Sequence, residues 1–337
     1  MEGFLRRHPV WTVVIAIAVA GLAWLILAPW PPGLEAALGR KRIFLNAVFS
    51  GVTLGALYFL VASGFTLIFG LMRNVNLAHG SLYLLGGYIG FEVSDRTGSW
   101  LLAFPVVFVI VALLGIVLQY VVFRRMEGQD LRQTLVTIGL SIVVADILLW
   151  VWGGSSYQIL TPDWLAGPMD LPVIASVRDN GEIVWLRYPQ VRVWILIAAI
   201  VLGVGMWLVM NRTRVGMLIR AGVDDREMLA ASGVRIQIVF LGVFAFGAGL
   251  AGIAGIVGGT FQSLSPGEDT RFLLASLVVV IVGGMGSIPG AALGAVIIGL
   301  AEQLGLVYAP TYSVVFTFLI MAAVLAFRPQ GLLGRTR

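Results

Sequence analysis

Apolar residues in this chain do not alternate with polar ones. They run in long blocks separated by short stretches that carry arginine, asparagine, glycine and proline. Blocks of this length predict about ten hydrophobic helices, at 10–28, 43–71, 77–94, 100–123, 133–153, 191–210, 236–260, 272–287, 289–305 and 312–327. A membrane span needs about 20 residues, so the third, eighth, ninth and tenth are short. The short alternating segments of a transmembrane β-barrel are absent. In a bilayer the backbone must satisfy its own hydrogen bonds, so the expected fold class is all-α, a polytopic integral membrane protein with some broken or short helices. The first run begins like a signal peptide, MEGFLRRHPVWTVV, but continues to about Ala28 without an A-x-A site, so it is expected to be a retained helix.

Composition agrees with the pattern. Of 337 residues 59% are hydrophobic and 12% charged, where a soluble domain carries about 25% charge. Mean hydropathy is +0.97. The chain has no cysteine and two histidines, His8 and His79. That excludes disulfides and thiol catalysis and leaves no metal site to expect. The net charge of +5 would suggest nucleic acid in a soluble protein. Here the arginines fit cytoplasmic loops instead, and the expected surroundings are a lipid bilayer and no nucleic acid. Arg6 and Arg7, the trio Arg124, Arg125 and Arg132, the five arginines of 212–235, and Arg328, Arg335 and Arg337 all fall inside if ten spans leave both termini in the cytosol. Arg40, Lys41 and Arg42 then face outward, against the trend. The segment 154–190 becomes the large extracytoplasmic connection.

Three places carry more than hydrophobicity. The first is RNVNLAHGS, from Arg73 to Ser81, set between two apolar runs. Asn76 is placed to cap a helix beginning at Leu77, and His79 falls in that helix's first turn. The preceding run of 29 residues rises about 43 Å, enough for a tilted helix to end at the surface. At the surface the stretch is a capped turn. Within the membrane, Asn74, Asn76 and His79 line a path.

The second is SLVVVIVGGMGSIPGAALGAVIIGLAEQLG, 276–305. Its glycines and Pro289 predict a break at Met285–Pro289. Interrupted membrane helices point to transport sites, which makes Gly283, Gly284 and Ser287 candidates. Gly286, Gly290 and Gly294, spaced by four, equally suit close helix packing. Two acids lie in apolar runs, Asp146 and Glu302. Such acids are functional candidates by default, although Glu302 sits near the expected outer end of its helix.

The third is RTRVGMLIRAGVDDREMLAASGVRIQ, 212–237. It is too polar to span and too apolar for a loose linker. A short amphipathic helix closed by Gly233 is expected, either docked in a groove on a cytosolic protein or lying on the headgroups.

No G-x-x-x-x-G-K-[ST], G-x-S-x-G or H-E-x-x-H occurs, so no catalytic residue is expected and any ATP chemistry belongs to another chain.

Taken in order, GVTLGALYFLVASGFTLIFGLMRNVNLAHGSLYLLGGYIG (51–90), RAGVDDREMLAASGVRIQIVFLGVFAFGAGLAGIAGIVGG (220–259) and VVVIVGGMGSIPGAALGAVIIGLAE (278–302) resemble the branched-chain amino acid ABC transporter permeases of the LivH/LivM type. The likeness covers about 43–334, including FRPQGLLGR, and is nearer the LivH half. The extra helix at 10–28 is more like LivM. The resemblance implies an N-terminal membrane helix and connection at 1–42 and a permease transmembrane domain at 43–337, with repeats at about 43–153 and 236–327. It implies a multi-pass subunit in a bacterial cytoplasmic membrane, importing branched-chain amino acids, or within the family urea, amides or aromatic acids, by alternating access. A second permease, LivM-like or a copy of this chain, two ATPase subunits binding ATP-Mg, and an extracytoplasmic binding protein would complete it. The ATPase-coupling segment would comprise Arg220, Ala221, Asp224, Asp225, Arg226, Glu227, Met228, Leu229 and Gly233, with Glu227 and Gly233 keeping the spacing of an EAA-x-x-x-G pattern. The competing class is an ATPase-independent channel or ion-coupled carrier, for which Asp146 and broken helices serve equally well.

Overall fold

A computed structural model of the chain describes residues 41–72, 76–126, 128–177, 183–224 and 226–334. The expected helix at 10–28, with Arg73, Asn74, Asp225, Arg335 and Arg337, lies outside the described residues.

Helix is the dominant element, as the apolar blocks require. The order is α1 (Lys41–Met72), α2 (His79–Thr97), α3 (Trp100–Val121), a 3-10 turn (Phe123–Met126), α4 (Asp130–Trp152), a 3-10 turn (Asp163–Leu165), β1 (Pro168–Val177), β2 (Ile183–Pro189), α5 (Gln190–Arg212), α6 (Arg214–Asp224), α7 (Arg226–Ala231), α8 (Ile236–Phe261), α9 (Glu268–Gly283), α10 (Ile288–Tyr308), a 3-10 turn (Pro310–Tyr312) and α11 (Ser313–Phe327). Among the described residues, seven helices are long and apolar enough to cross a membrane. The expected spans 77–94 and 272–287 are present as α2 and α9 but are not among the seven. The 16 residues of α9 rise only about 24 Å, less than a hydrocarbon core.

Two compact units divide the chain. The smaller contains the start of α1 as far as Phe49 and the segment Gly167–Pro189. Its β1 and β2 form an antiparallel hairpin in which Leu171 pairs with Leu186 and Met169 with Tyr188. Leu45 packs on Leu186, Phe49, Leu171 and Val173. The hairpin lies within the connection expected at 154–190, for which the sequence reading named no strands. Its signal was available: along VWLRYP, Leu186 and Tyr188 are buried while Trp185 and Arg187 are exposed, the period of two that marks a half-buried strand.

In the larger unit, burial separates inner from outer helices. The apolar window of α1 is 89% buried and that of α8 is 61%, against 11% for α4 and for α11. A helix apolar all round that is also buried is a core helix. What brings α1, α2, α8, α9 and α10 together is glycine. A Cβ on Gly64 would lie 2.3 Å from the Gly247 carbonyl oxygen, and one on Gly247 would lie 2.9 Å from that of Gly64. A Cβ on Gly86 of α2 would stand 2.3 Å from the Cα of Gly252 in α8. On α10, Gly299 meets Gly51 and Gly55 of α1 at comparable distances. Lipid gives no hydrophobic drive for helix association, so dispersion at close backbone approach must supply it.

Short polar devices fix the corners. Gly98 ends α2 in the left-handed region at φ 66°, and Ser99 caps α3 by accepting from the Leu102 N–H at 3.3 Å. Tyr157 and Leu264 form a two-way backbone bridge of 2.9 and 2.6 Å that ties the connection after α4 to the one after α8.

Gly86→Ala is expected to destabilise the protein by at least about 1–3 kcal/mol, the usual cost of overpacking. Gly139→Ala, inside α4 and meeting nothing within 4 Å, should not destabilise and should gain up to about 1 kcal/mol of helix propensity. Thermal unfolding of both variants in detergent checks this, and equal midpoints would remove the packing account.

Candidate functional site

From Asn76 onward, the polar stretch that interrupts the first apolar runs is a buried turn leading into α2. Helix α2 begins at His79, two residues later than expected, and its N-cap position is Ala78, without a side-chain cap. Asn76 lies before the cap. Its Oδ1 accepts from the Ala78 N–H at 3.1 Å, a side-chain turn of the kind asparagine favours. The Leu77 N–H donates to Thr137 Oγ1 of α4 at 3.2 Å, and that hydroxyl donates to the Thr134 carbonyl at 2.9 Å. His79 is 0% exposed. Its Nε2–H donates to the Val61 carbonyl of α1 at 3.0 Å, and its ring stands edge-on to Phe65 at 5.5 Å. Asn76 Nδ2 and His79 Nδ1 are buried without a hydrogen-bond partner.

The second break falls where the glycines predict. Helix α9 ends at Gly283 and α10 begins at Ile288. Gly284 has φ 108° and Gly286 φ 77°, conformations that exclude most side chains. Ser287 caps α10, its Oγ accepting from the Gly290 N–H at 3.1 Å, and Pro289 occupies the first turn, where a missing N–H costs nothing. Gly290 and Gly294 pack against Gly283 and Val279, whereas Gly286 belongs to the turn and approaches Gly70. The carbonyls at the end of α9 are met from afar: the Leu332 N–H donates to Val282 and the Leu333 N–H to Gly283, both at 2.9 Å. FRPQGLLGR is thus the strand of backbone that satisfies a broken helix.

The starts of α2 and α9 meet. A Cβ on Gly80 would lie 2.1 Å from the Asp269 carbonyl oxygen, and Tyr83 packs on Phe272 at 4.2 Å between ring centroids. Around this junction runs a polar network that the sequence reading missed in part. Tyr58 donates to Glu302 Oε2 at 2.6 Å. Arg271 donates to Glu302 Oε1 at 3.2 Å, to Glu268 Oε2 at 3.4 Å and to Gln262 Oε1 at 3.2 Å. One guanidinium therefore joins the end of α8, the first turn of α9, and α10, and through Glu302 it reaches α1. Glu302 is not simply wet, since its side chain is 14% exposed. The signal was a lone arginine three residues after Glu268, an i,i+3 pair entering an apolar run.

Asp146 is elsewhere. It is exposed on α4, nine residues from the buried Thr137, hence about 180° around the helix. No hydrogen bond among the described residues links the Asn76–His79 turn, the Gly283–Ser287 turn and Asp146 to one another.

The connection expected to be cytosolic is two short helices. On α6 Gly216, Ile219 and Gly222 are buried while Val215 and Met217 are exposed, Met217 at 61%. Arg220 donates to the Met210 carbonyl, and Ala221 is half-buried. On α7 Met228 is exposed and Leu229 buried. Asp224, Arg226 and Glu227 lie within these helices. Gly233 follows α7 in the left-handed region at φ 81°, the expected stop. Among the described residues no cluster of histidine and carboxylates is arranged to hold a metal.

The family described as branched-chain amino acid transport system / permease component matches residues 47–325. The chain is 29% identical over 308 residues to the high-affinity branched-chain amino acid transport system permease protein LivH of Escherichia coli K12, covering 87% of this chain and 96% of that protein. It is 28% identical over 304 residues, with the same coverage, to the corresponding protein BraD of Pseudomonas aeruginosa. To LivM of E. coli it is 27% identical over 305 residues, covering 85% of this chain and 69% of LivM. No solved structure matches the chain. The channel and carrier readings gain nothing from these likenesses.

Glu302→Ala is expected to lower stability by about 1–3 kcal/mol, between the small worth of an exposed pair and the loss at a buried one, because the Arg271 side chain is 40% exposed. Glu302→Gln, which still accepts from Tyr58 and Arg271, should retain more than half of that. Equal unfolding midpoints for the two variants would contradict it. Matching over residues 47–325, with broken helices and a short helical connection between spans where the resemblance places them, the chain belongs to the family of branched-chain amino acid transport system permease components.

Proposed function

We propose that this chain is one permease subunit of a bacterial ATP-binding-cassette importer in the cytoplasmic membrane, carrying branched-chain amino acids or a related small polar solute by alternating access. A second permease, LivM-like or a copy of this chain, pairs with it. Two cytosolic ATPase subunits bind ATP-Mg, and an extracytoplasmic binding protein delivers the solute. The observation that carries this is the family match combined with the α6–α7 connection, which presents Met217 and Met228 outward on short helices between two membrane spans. Exposed methionines on a short helix suit a groove on a partner. No phosphate-loop sequence occurs in the 337 residues, which supports placing ATP hydrolysis on separate subunits.

Asp146 supports the second permease. An ionised side chain facing hydrocarbon at the centre of a span costs about 2.5–3.5 kcal/mol or more. Its face of α4, with Trp150 at 86% exposure, therefore belongs against protein or along a wet path between the two permeases. In this reading Asp146 touches the path, whereas Asn76, His79, Gly283, Gly284 and Ser287 set the helix breaks that move with it. A two-fold relation between 43–153 and 236–327 accords with the mutual approach of Gly64 and Gly247, with the meeting of the starts of α2 and α9, and with α3 lying on α8 through Gly115 and Ala248 as α10 lies on α1 through Gly299 and Gly55.

Reconstitution with the neighbouring permease and ATPases should give ATP hydrolysis stimulated by the binding protein. Met217→Asp should leave the membrane domain folded and reduce that hydrolysis about tenfold or more. Solute uptake by this chain without any ATPase would refute the proposal. Binding measurements on the soluble receptor identify the solute.

A further inference from the structure

An open crevice of about 200 Å³ separates the end of α3 from the start of α8. Gln119 and Tyr120 of α3, Arg124 of the following turn, and Gln237, Ile238 and Leu241 of α8 line it. Both ends belong to the side on which the arginine distribution places the cytosol. Three features are unusual together. Tyr120 is 58% and Ile238 59% exposed, so the crevice opens sideways, toward the bilayer. Arg124 is exposed and lies over the Tyr120 ring, 5.3 Å from its centroid, with no carboxylate partner among the described residues. Gln119 is only 3% exposed, and its Oε1 is buried without a hydrogen-bond partner. A buried acceptor left open calls for an explanation, more so at the end of a helix otherwise apolar.

We propose that this crevice is a binding site for an inner-leaflet glycerophospholipid whose headgroup carries a hydrogen-bond donor, as glycerol or ethanolamine headgroups do. The phosphate sits at Arg124, a guanidinium being the natural partner of phosphate. The headgroup hydroxyl or ammonium donates to Gln119 Oε1, which is covered and meets it once the side chain turns toward the crevice. An acyl chain lies along Tyr120, Ile238 and Leu241. A basic residue at a cleft between membrane helices on the cytosolic side is suited to such headgroups, and the apolar lining suits a chain rather than a free anion. The site has a mechanical position as well. Ile236 opens α8 immediately after the 212–235 connection, so an occupant would bridge α3 to the first turn of the helix that follows the coupling segment. That last consequence rests on the permease reading, but binding itself does not.

The test uses the full chain in detergent, without ATPases. Retention of lipid is measured by native mass spectrometry and by the shift in unfolding temperature on titration with phosphatidylglycerol, phosphatidylethanolamine or phosphatidylcholine. The first two are expected to bind about tenfold or more tightly than the choline lipid, which lacks a donor. Arg124→Gln should weaken all three about tenfold. Gln119→Leu should abolish the preference over choline. Ile238→Trp, at an exposed position, should fill the crevice and remove binding even if Gln119→Leu fails to fold. Soluble glycerol phosphate should not compete. Equal binding of the three lipids, binding unaffected by Arg124→Gln and Ile238→Trp, competition by glycerol phosphate, or no retained lipid would each overturn the proposal. None of these results would touch the permease assignment, which is read by ATP hydrolysis.

Discussion

A helix broken inside a protein leaves backbone donors and acceptors that water cannot reach, and each must find a partner. Both breaks here are built around that constraint. At 76–79 the partners are side chains: Asn76 turns the chain onto the Ala78 N–H and Thr137 receives the Leu77 N–H. At 283–288 they are backbone: Leu332 and Leu333 reach back to Val282 and Gly283, and Ser287 takes the Gly290 N–H. The two solutions differ in what they demand elsewhere. The first needs a hydroxyl on α4. The second needs the chain to return after α11, so its last described residues are structural at a distance of some fifty positions.

Close packing follows from the same breaks. Short helices such as α2 and α9 have few residues with which to hold their place, and lipid does not drive them inward. They are held by backbone contact, Gly86 on Gly252 and Gly80 beside Asp269, and by the Arg271 network. Interiors packed this way have discrete arrangements rather than continuous ones. That suits a protein whose work is to switch between two openings. The Tyr58–Glu302–Arg271 set ties α1, α9 and α10 together, with Glu302 largely shielded and Arg271 part-exposed.

Much of this was legible in the sequence. The break at Met285–Pro289 was, since glycine pairs and proline act locally and need no partner to be recognised. So was the stop at Gly233. The start of α2 was misplaced by two residues because asparagine can cap a helix or turn the chain before it, and only the position of Thr137, 61 residues on from Asn76, decides between them. The hairpin at 168–189 was passed over although its alternation was readable, because a membrane composition argues for helix everywhere and obscures a short period of two. Arg271 was legible only in part: its pair with Glu268 is local to α9, whereas Gln262 and Glu302 are brought to it by tertiary structure.

The two acids in apolar runs show how much environment decides. By sequence Asp146 and Glu302 are alike, each a carboxylate among aliphatic residues. Glu302 turns inward and receives Tyr58 and Arg271, so its charge is answered within the chain and its role is to hold helices together. Asp146 turns outward from α4 with no cationic partner among the described residues, so no described group closes its charge. A structural acid is one whose hydrogen bonds close within the protein that carries it. An acid whose bonds do not close among the described residues, as on the exposed side of α4, is the one whose surroundings decide its role, and that is the ground on which the second permease is proposed.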